Sequence, residues 1–286
     1  MSKIINGKEI AENILKELKE EVKAAETQIS KSPQLSIILV GDNSESKIYV
    51  KNKIARAKDV GIEASFYELP EDCSEGDLEF LIDSLNTDED VNGIIVQLPL
   101  PKHLNEDKIL NKITPEKDVD GFTDTNQDAL FKGSSDFIFP ATPLAVIELI
   151  NRFDNDINGK KSCVIGKSKI VGKPLAKMLE NLGADVTTID RDTKNPEDIS
   201  SSADLLIVAA GSKHLVKENW VKEDALIIDI GITKDNDGKI YGDVDFDNVV
   251  DKARAITPVP GGVGPMTIAM LLTNTVKAFE KQNKLI

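Results

Sequence analysis

The sequence predicts an α/β fold of two domains, each built around a parallel β-sheet, with a cleft between them. Three observations support this fold class. Short apolar strands alternate with helical segments, and this order requires crossover connections and therefore parallel strands. The order starts again near residue 160, which predicts a second sheet. The length of 286 residues allows two domains that each bury a hydrophobic core.

The first domain is predicted to begin with a helix, because apolar residues recur at helical spacing from residue 7 onwards. A second helix carries Tyr49 and Lys53 and is expected to end near Gly61. The predicted strands are LSIILVG, ASFYELP and VNGIIVQLPLP, with the helix EGDLEFLIDSLN before the third strand. Ligands bind beyond the carboxyl ends of parallel strands, so Gln97 lies at the predicted ligand edge.

A long polar connection over residues 102–136 separates the two halves of the chain. We therefore place the first domain at residues 1–139 and the second at 140–265, and expect the terminal helix, residues 266–286, to pack back on the first domain. The second domain begins with the helix TPLAVIELINRF. A strand, a turn, a helix and a strand follow in KKSCVIGKSKIVGKPLAKMLENLGADVTTID, and ADLLIVAAG and ALIIDIGI are two further buried strands.

Composition and charge exclude several classes of function. The net charge of -14 opposes binding to nucleic acid and to an anionic membrane surface. The two cysteines, Cys73 and Cys163, have no ligand spacing, and Cys163 lies in an apolar strand, so we expect Cys163 to be a buried thiol and infer a reducing compartment and no metal. The amino terminus lacks the apolar core of a signal peptide, and no segment is long enough to span a membrane. We expect a cytoplasmic protein.

A glycine-bearing turn at the start of the second sheet predicts a Rossmann-like dinucleotide-binding domain. Gly166 occupies the first glycine position of the fingerprint, Ser168 stands at the second, and Gly172 falls one residue later than the third. Such a turn lets the backbone approach a pyrophosphate at a helix N-terminus. Because the fingerprint is incomplete, a tight turn without a ligand is the alternative interpretation.

The end of the next predicted strand carries conflicting indications of the cofactor. Asp190 stands where a carboxylate accepts hydrogen bonds from the adenosine ribose, which favours NAD. Lys167, Arg191 and Lys194 are cations that suit the additional phosphate of NADP. We predict NADP, with NAD as the alternative.

Tyr49 and Lys53 are spaced one helical turn apart and therefore share a helix face. A lysine that is partly desolvated in a cleft can exchange protons near neutral pH, and Gln97 can hold such an amine without adding charge. A solvated helix face is the structural alternative. The spacing also matches the Tyr-x-x-x-Lys pair of short-chain dehydrogenases, but that pair follows the glycine turn within one domain, whereas Tyr49 precedes Gly166.

Five blocks occur in order along the chain: SESKIYVKNK, GIIVQLPLP, PEKDVDGF, GKSKIVGKP and TPVPGGVGPMT. Together they resemble the methylenetetrahydrofolate dehydrogenase/cyclohydrolase family of the bifunctional bacterial type, and the resemblance covers essentially the entire chain. It implies NADP-dependent oxidation of 5,10-methylenetetrahydrofolate to the methenyl form, followed by hydrolysis to 10-formyltetrahydrofolate. It also implies a place in one-carbon metabolism and purine biosynthesis.

The resemblance assigns roles on the folate side. Lys53 matches the catalytic lysine of the family, and Gln97 matches the hydrogen-bonding partner of that lysine. Tyr49 matches the tyrosine that stacks on the folate, and Asp120 matches the carboxylate that anchors the pterin. The remaining matched substrate-binding positions are Leu98, Pro260, Gly261, Gly262, Val263 and Gly264. Asp118 and Asp120 also suggest a cation site, but two carboxylates without further oxygen ligands are more often turn residues.

On the nucleotide side, the matched positions are Gly166, Lys167, Ser168, Arg191 and Ile232, with Arg191 at the family's site for the additional phosphate. Lys167 stands where many members have arginine or alanine, and Asp190 replaces a common histidine. The resemblance further implies a homodimer that binds one-carbon derivatives of tetrahydrofolate. A monofunctional dehydrogenase of the same family and a nucleotide-sensing binding protein without catalysis are the rival hypotheses.

Overall fold

The computed structural model describes residues 3–134, 136–153, 156–235 and 238–286. The chain divides into two compact units. One comprises Asn13–Ala141 and Ile268–Ile286, and we call it the three-stranded unit after its sheet. The other comprises Met1–Glu12 and Thr142–Thr267, and we call it the six-stranded unit.

The secondary structure alternates between strands and helices along most of the described chain. The strands are β1 (Lys3–Ile4), β2 (Gln34–Val40), β3 (Glu63–Leu69), β4 (Gly93–Val96), β5 (Lys161–Ile165), β6 (Asp185–Ile189), β7 (Leu205–Val208), β8 (Leu226–Asp229), β9 (Thr233–Lys234), β10 (Ile240–Tyr241) and β11 (Ala255–Ile256). The α-helices are α1 (Gly7–Ile29), α2 (Ser44–Val60), α3 (Glu75–Thr87), α4 (Glu106–Leu110), α5 (Asp124–Phe131), α6 (Ala141–Phe153), α7 (Gly172–Asn181), α8 (Pro196–Ser200), α9 (Phe246–Val249) and α10 (Val263–Gln282), and a 3₁₀ helix covers Glu218–Trp220.

The three-stranded sheet has the order β3-β2-β4, and both strand pairs are parallel. Its central strand β2 is buried from Leu35 to Val40. One apolar cluster joins side chains of β2, α3 and β4, among them Ile38, Leu78 and Ile94. Because the strands are parallel, the carboxyl ends of β2 and β4 lie at one edge, where α2 begins and Gln97 follows β4.

The six-stranded sheet has the order β1-β11-β8-β7-β5-β6, and all of its strand pairs are parallel. The chain passes from β5 to the edge strand β6 and then returns to β7 on the other side of β5. A reversal of this kind opens a crevice between the carboxyl ends of the two strands, which is where ligands bind in such sheets. The turn after β5 and the loop after β7 therefore meet at the expected ligand site.

Two α/β units with parallel sheets confirm the predicted fold class. The edge strand β1 is not predicted from the sequence, because two residues carry no detectable periodicity. It pairs with β11, and the N–H of Ile5 continues the pairing to the carbonyl oxygen of Ile256 at 2.9 Å. Residues 1–12 consequently group with the six-stranded unit, whereas the sequence-based boundary places them in the first domain.

The polar connection predicted over residues 102–136 contains two short helices, α4 and α5. Asn105 and Thr123 cap them, since their side-chain oxygens accept hydrogen bonds from the N–H groups of Lys108 and Asn126. The antiparallel pair of β9 and β10 is also absent from the prediction. Among the residues described, no helix combines the length and the apolar character of a membrane span.

Candidate functional site

Helix α2 carries two of the residues predicted to act on the substrate. Asn43 caps its start, because its Oδ1 accepts hydrogen bonds from the N–H groups of Glu45 and Ser46 at 3.0 and 2.9 Å. Tyr49 and Lys53 follow on adjacent turns and share a face of the helix. The cap therefore sets where both side chains emerge at the carboxyl edge of the three-stranded sheet.

Lys53 is buried although it ends in an amine. Only 8% of the residue is exposed, and its Nζ donates a hydrogen bond to Gln97 Oε1 at 3.1 Å. The Gln97 amide also donates from Nε2 to the carbonyl oxygen of Leu98 at 2.8 Å, which turns its oxygen towards the lysine. Leu98 itself packs against the core of the unit. A neutral acceptor thus holds the amine at the end of β4.

Asp120 lies on a backbone segment that is held from both sides. Asn274 of α10, which is buried, donates from Nδ2 to the carbonyl oxygen of Val119 at 2.9 Å. Gln127 donates from Nε2 to the carbonyl oxygen of Gly121 at 2.6 Å. The sequence analysis did not identify Asn274. The single asparagine of α10, between Thr273 and Thr275 in an otherwise largely apolar stretch, is the signal that could have found it, because a buried amide needs partners.

The electrostatics of Asp120 and Lys53 are linked. Burial raises the pKa of Asp120, the Lys53 ammonium opposes that rise, and Asp118 adds to it. Burial also raises the pKa of Tyr49, and Glu45 adds to this effect, so the phenol stays protonated. Tyr49 is 38% exposed, which leaves its ring surface available for stacking. The structure therefore brings Lys53, its neutral partner and the Asp120 carboxyl together beside an exposed aromatic ring.

Asp118 builds the turn that carries Asp120. Its carboxylate accepts hydrogen bonds from the N–H groups of Phe122 and Thr123 at 3.1 and 2.8 Å, and from Asn126 Nδ2 at 2.9 Å. These bonds engage both of its oxygens, which agrees with a turn residue rather than a cation ligand. Within the described ranges, no group of three or more His, Cys, Asp and Glu side chains is arranged to hold a metal ion.

Two positions of the turn after β5, Gly166 and Gly172, lie so close to neighbouring backbone that only glycine fits there. Gly166 has a φ of 115°, and a Cβ there would lie 2.3 Å from the carbonyl oxygen of Ala209. A Cβ on Gly172 would lie 2.0 Å from the carbonyl oxygen of Gly166. Gly172 therefore provides the tight strand–helix packing of the third fingerprint glycine despite its shifted position. Ser168 Oγ accepts hydrogen bonds from the N–H groups of Val171 and Gly172 at 3.2 and 3.3 Å and so ties the turn to the start of α7.

Asp190, which follows β6, is neutralised by a neighbour. Lys167 Nζ lies 2.9 Å from its Oδ2, and Thr193 Oγ1 donates to its Oδ1 at 2.7 Å. These two groups lower the pKa of Asp190 to about 2. Arg191 and Lys194 are both exposed beside it. The carboxylate that favours NAD in the sequence analysis therefore already has a cation as its partner.

The segment from Pro260 to Gly264 lies in the six-stranded unit and is fixed by the chain's amino-terminal segment. The carbonyl oxygen of Gly261 accepts a hydrogen bond from the N–H of Lys8 at 2.9 Å. A Cβ on Gly7 would lie 2.0 Å from the carbonyl oxygen of Gly262, so the start of α1 lies directly against this segment. The Val259–Pro260 peptide bond is cis.

Ile232 lies beside the end of the same segment. A Cβ on Gly264 would lie 4.0 Å from Ile232 Cδ1, and the Ile232 side chain is 48% exposed. An apolar side chain exposed at the carboxyl edge of the six-stranded sheet suits contact with a bound ligand. The six-stranded unit also contains Gly166, Lys167, Ser168, Val263 and Arg191, whereas Tyr49, Lys53, Gln97, Leu98 and Asp120 lie in the three-stranded unit.

Two family models match the chain. Residues 5–120 match the catalytic domain of tetrahydrofolate dehydrogenase/cyclohydrolase. Residues 140–283 match the NAD(P)-binding domain of the same family. The two matches follow one another along the chain in the order that the sequence analysis expects.

Curated relatives and solved structures agree with these matches. The bifunctional protein FolD of Listeria innocua is 46% identical over 281 residues, which cover 98% of each chain. The crystal structure of the FolD methylenetetrahydrofolate dehydrogenase/cyclohydrolase from Campylobacter jejuni has a TM-score of 0.96 and 43% identity and covers 100% of both chains. FolD from Trypanosoma brucei, solved with NADP and an inhibitor, has a TM-score of 0.95 and 37% identity over 99% of each chain. The chain therefore belongs to the tetrahydrofolate dehydrogenase/cyclohydrolase family.

Proposed function

We propose that this protein oxidises 5,10-methylenetetrahydrofolate with NADP and hydrolyses the resulting 5,10-methenyltetrahydrofolate to 10-formyltetrahydrofolate. The observation that carries the proposal is the buried amine of Lys53, held by the neutral Gln97 and electrostatically coupled to Asp120. Membership of the family supports both activities, because the relatives in Listeria innocua and Campylobacter jejuni are described as bifunctional.

Lys53 transfers the protons that hydrolysis requires. The attacking water must lose a proton and the departing ring nitrogen must gain one, so hydrolysis needs a group that can exchange protons in place. The hydrogen bond that Lys53 Nζ donates to Gln97 Oε1 orients the amine, and the neutral amide adds no formal charge beside it. Helix α2 holds the Lys53 side chain in a buried position, so the amine is positioned before substrate binds.

Asp120 and Tyr49 bind and orient the folate. An ionised Asp120 accepts hydrogen bonds from the N–H groups of the pterin, and the Lys53 ammonium favours that ionised form. The exposed ring of Tyr49 stacks on the aromatic part of the substrate. The substrate contacts expected of Leu98 and of Pro260 through Gly264 belong to the same proposal and are supported by the family resemblance.

The residues of the six-stranded unit fit a dinucleotide. Glycine at positions 166 and 172 lets the turn after β5 pack closely against Ala209 and on itself, and this tight strand–helix turn places the N-terminus of α7 where a pyrophosphate would bind. Bound NADP supplies the acceptor for the hydride that leaves the one-carbon bridge. Ser168 holds the turn in shape and Ile232 offers an apolar contact.

The preference for NADP follows from the charges around Asp190. Lys167 neutralises the Asp190 carboxylate, and Arg191 and Lys194 remain exposed for the additional phosphate. NAD is the alternative, since Asp190 can still accept hydrogen bonds from a ribose diol. Catalytic efficiency measured with each cofactor distinguishes the two, and a clear advantage for NAD would overturn the preference.

Two assays on one preparation test the proposed activities. The absorbance of reduced nicotinamide, followed with methylenetetrahydrofolate and NADP, reports the dehydrogenase. The decay of methenyl absorbance, followed without any nucleotide, reports the cyclohydrolase. Dehydrogenase activity alone would support the monofunctional alternative, and silence in both assays would support a nucleotide-sensing binding protein.

We further propose, from the family resemblance, that the protein is a cytoplasmic homodimer that acts in one-carbon metabolism and supplies formyl groups for purine biosynthesis. Light scattering of the purified protein tests the dimer, and a monomeric mass at assay concentrations would contradict it.

A further inference from the structure

Two carboxylates that the proposed chemistry does not use are buried at the ligand edge of the six-stranded sheet. Asp229 ends β8 and Asp243 lies on the segment after β10; 3% of Asp229 and 0% of Asp243 are exposed. Burying a carboxylate is costly unless hydrogen bonds replace its hydration. An apolar side chain would carry no such cost, so the contacts that these carboxylates make need an explanation.

The carboxylate of Asp243 holds the loop after β7 by its backbone. Its Oδ2 accepts hydrogen bonds from the N–H groups of Ala210 and Gly211 at 2.7 and 2.9 Å. Its Oδ1 accepts a hydrogen bond from the N–H of Ser212 at 2.7 Å. Three successive amides that converge on one buried carboxylate specify the conformation of this loop closely, because each bond is charge-assisted.

Asp229 in turn fixes the position of Asp243. Its Oδ1 accepts hydrogen bonds from the N–H groups of Gly231 and Asp243 at 2.9 and 3.1 Å, and its Oδ2 accepts one from Val244 at 2.9 Å. Burial raises the pKa of Asp229 to about 7, and these backbone N–H groups oppose the rise. The two buried carboxylates therefore connect the end of β8 to the loop after β7.

The loop that Asp243 holds lies next to the glycine turn. A Cβ on Gly166 would lie 2.3 Å from the carbonyl oxygen of Ala209, the residue before the loop. The turn after β5 and the loop after β7 flank the point where the strand order reverses, which is the ligand crevice of this kind of sheet. A shift of Ala210–Ser212 would therefore change the surface that a dinucleotide meets.

We propose that Asp243 is a positioning residue of the nucleotide site, which holds the backbone of Ala210–Ser212 in the conformation that binds the cofactor. The inference rests on the proposed dinucleotide binding and extends it to a residue outside the predicted site. Asp243 acts through the loop and does not itself touch the cofactor. The specific consequence is that loss of its charge weakens cofactor binding while hydrolysis, which takes no nucleotide, continues.

The test is Asp243→Asn, which keeps the size of the side chain but places an NH₂ group opposite at least one backbone N–H donor. The dissociation constant of NADP, from isothermal titration calorimetry, and the KM for NADP should both rise about 10- to 100-fold, equivalent to ~1.4–2.8 kcal/mol. Cyclohydrolase turnover and the KM for methylenetetrahydrofolate should stay within about twofold of the wild type. Hydrolysis takes no nucleotide, and the folate residues Tyr49, Lys53 and Asp120 lie in the other unit. Hydrogen exchange of the amides at 210–212 should become faster.

Asp247→Asn is the matched control, because Asp247 is exposed on α9, directly after the same segment. It should leave NADP affinity unchanged. A merely structural role for Asp243 would lower the melting temperature of Asp243→Asn and leave the NADP dissociation constant of the folded protein unchanged, and that result would overturn the inference. Absence of NADP binding in the wild type would instead overturn the proposed function.

Gly211→Ala keeps the inference testable if Asp243→Asn does not fold. Gly211 has a φ of 63°, and an added Cβ would meet no atom within 4 Å, so the change strains the loop backbone without crowding the core. The proposal predicts weaker NADP binding with an unchanged cyclohydrolase. NADP affinity equal to that of the wild type would show that the conformation of this loop does not matter for the cofactor.

Discussion

Replacing Lys53 with methionine separates the two activities proposed for this protein. Methionine has a similar length and an apolar stem, so it can fill the buried position, but it can neither donate nor accept a proton. If Lys53 manages the protons of hydrolysis, cyclohydrolase turnover should fall by about 100- to 10,000-fold. That loss corresponds to ~2.7–5.4 kcal/mol in activation free energy, at about 1.36 kcal/mol per tenfold.

The substitution has a separate effect on the free energy of unfolding. A swap that conserves volume in a buried position costs less than about 1.5 kcal/mol. The oxygen of Gln97 loses the amine at 3.1 Å as its donor, which adds ~1–3 kcal/mol where water cannot replace it. The protein should therefore remain folded, and its NADP affinity should be unchanged because the nucleotide residues lie in the other unit.

Lys53→Met should also change the titration of Asp120. The ammonium opposes the burial that raises the pKa of this carboxyl, so its removal raises that pKa further. Folate binding that needs the ionised carboxylate should then weaken as the pH falls, and should begin to weaken at a higher pH than in the wild type. Folate titrations across the pH range measure this shift.

Both activities should be assayed on one preparation, with Lys51→Met as the control, because Lys51 is exposed on the same helix. Dehydrogenase turnover should fall less than cyclohydrolase turnover, since hydride transfer depends chiefly on the alignment of the two rings. Retained cyclohydrolase turnover in Lys53→Met would refute the proposed role of the lysine. Equal losses in both activities would show that Lys53 positions the folate rather than moving protons.

Three further changes test the remaining assignments. Asp120→Asn should weaken folate binding about tenfold, because a neutral amide is a poorer acceptor for the pterin. An unchanged folate affinity and turnover would show that Asp120 is only a turn residue. Arg191→Ser should lower catalytic efficiency with NADP about tenfold and leave that with NAD unchanged; equal losses with the two cofactors would contradict a phosphate contact. Gly172→Ala should lower the free energy of unfolding by ~1–3 kcal/mol and impair NADP binding, because its Cβ would lie 2.0 Å from a backbone oxygen. Gly76→Ala, in helix α3 with only an ordinary contact at 3.7 Å, should instead raise the free energy of unfolding by ~0.5–1 kcal/mol, and a stable Gly172→Ala would refute the close-packing argument.

Features that depend on neighbouring residues could be predicted from the sequence. The alternation of apolar strands and helices determined the fold class, since each element shows its own periodicity. The spacing of Tyr49 and Lys53 placed both on one helix face, and Gly166 marked the turn after β5. Those arguments use contacts within a few residues, where chain connectivity already limits the geometry.

The tertiary structure decided which distant segments meet. Asn274 supports the backbone beside Asp120 from 155 residues away, and Asp243 holds a loop that lies 31–33 residues before it. The ion pair of Lys167 with Asp190 also supports the predicted preference for NADP, because it neutralises the carboxylate that favours NAD. A buried polar group must find a partner wherever the fold supplies one, and no local pattern encodes that partner. The sequence by itself determined the elements and the types of chemistry, and only the folded chain determined which polar groups satisfy one another at the two sites.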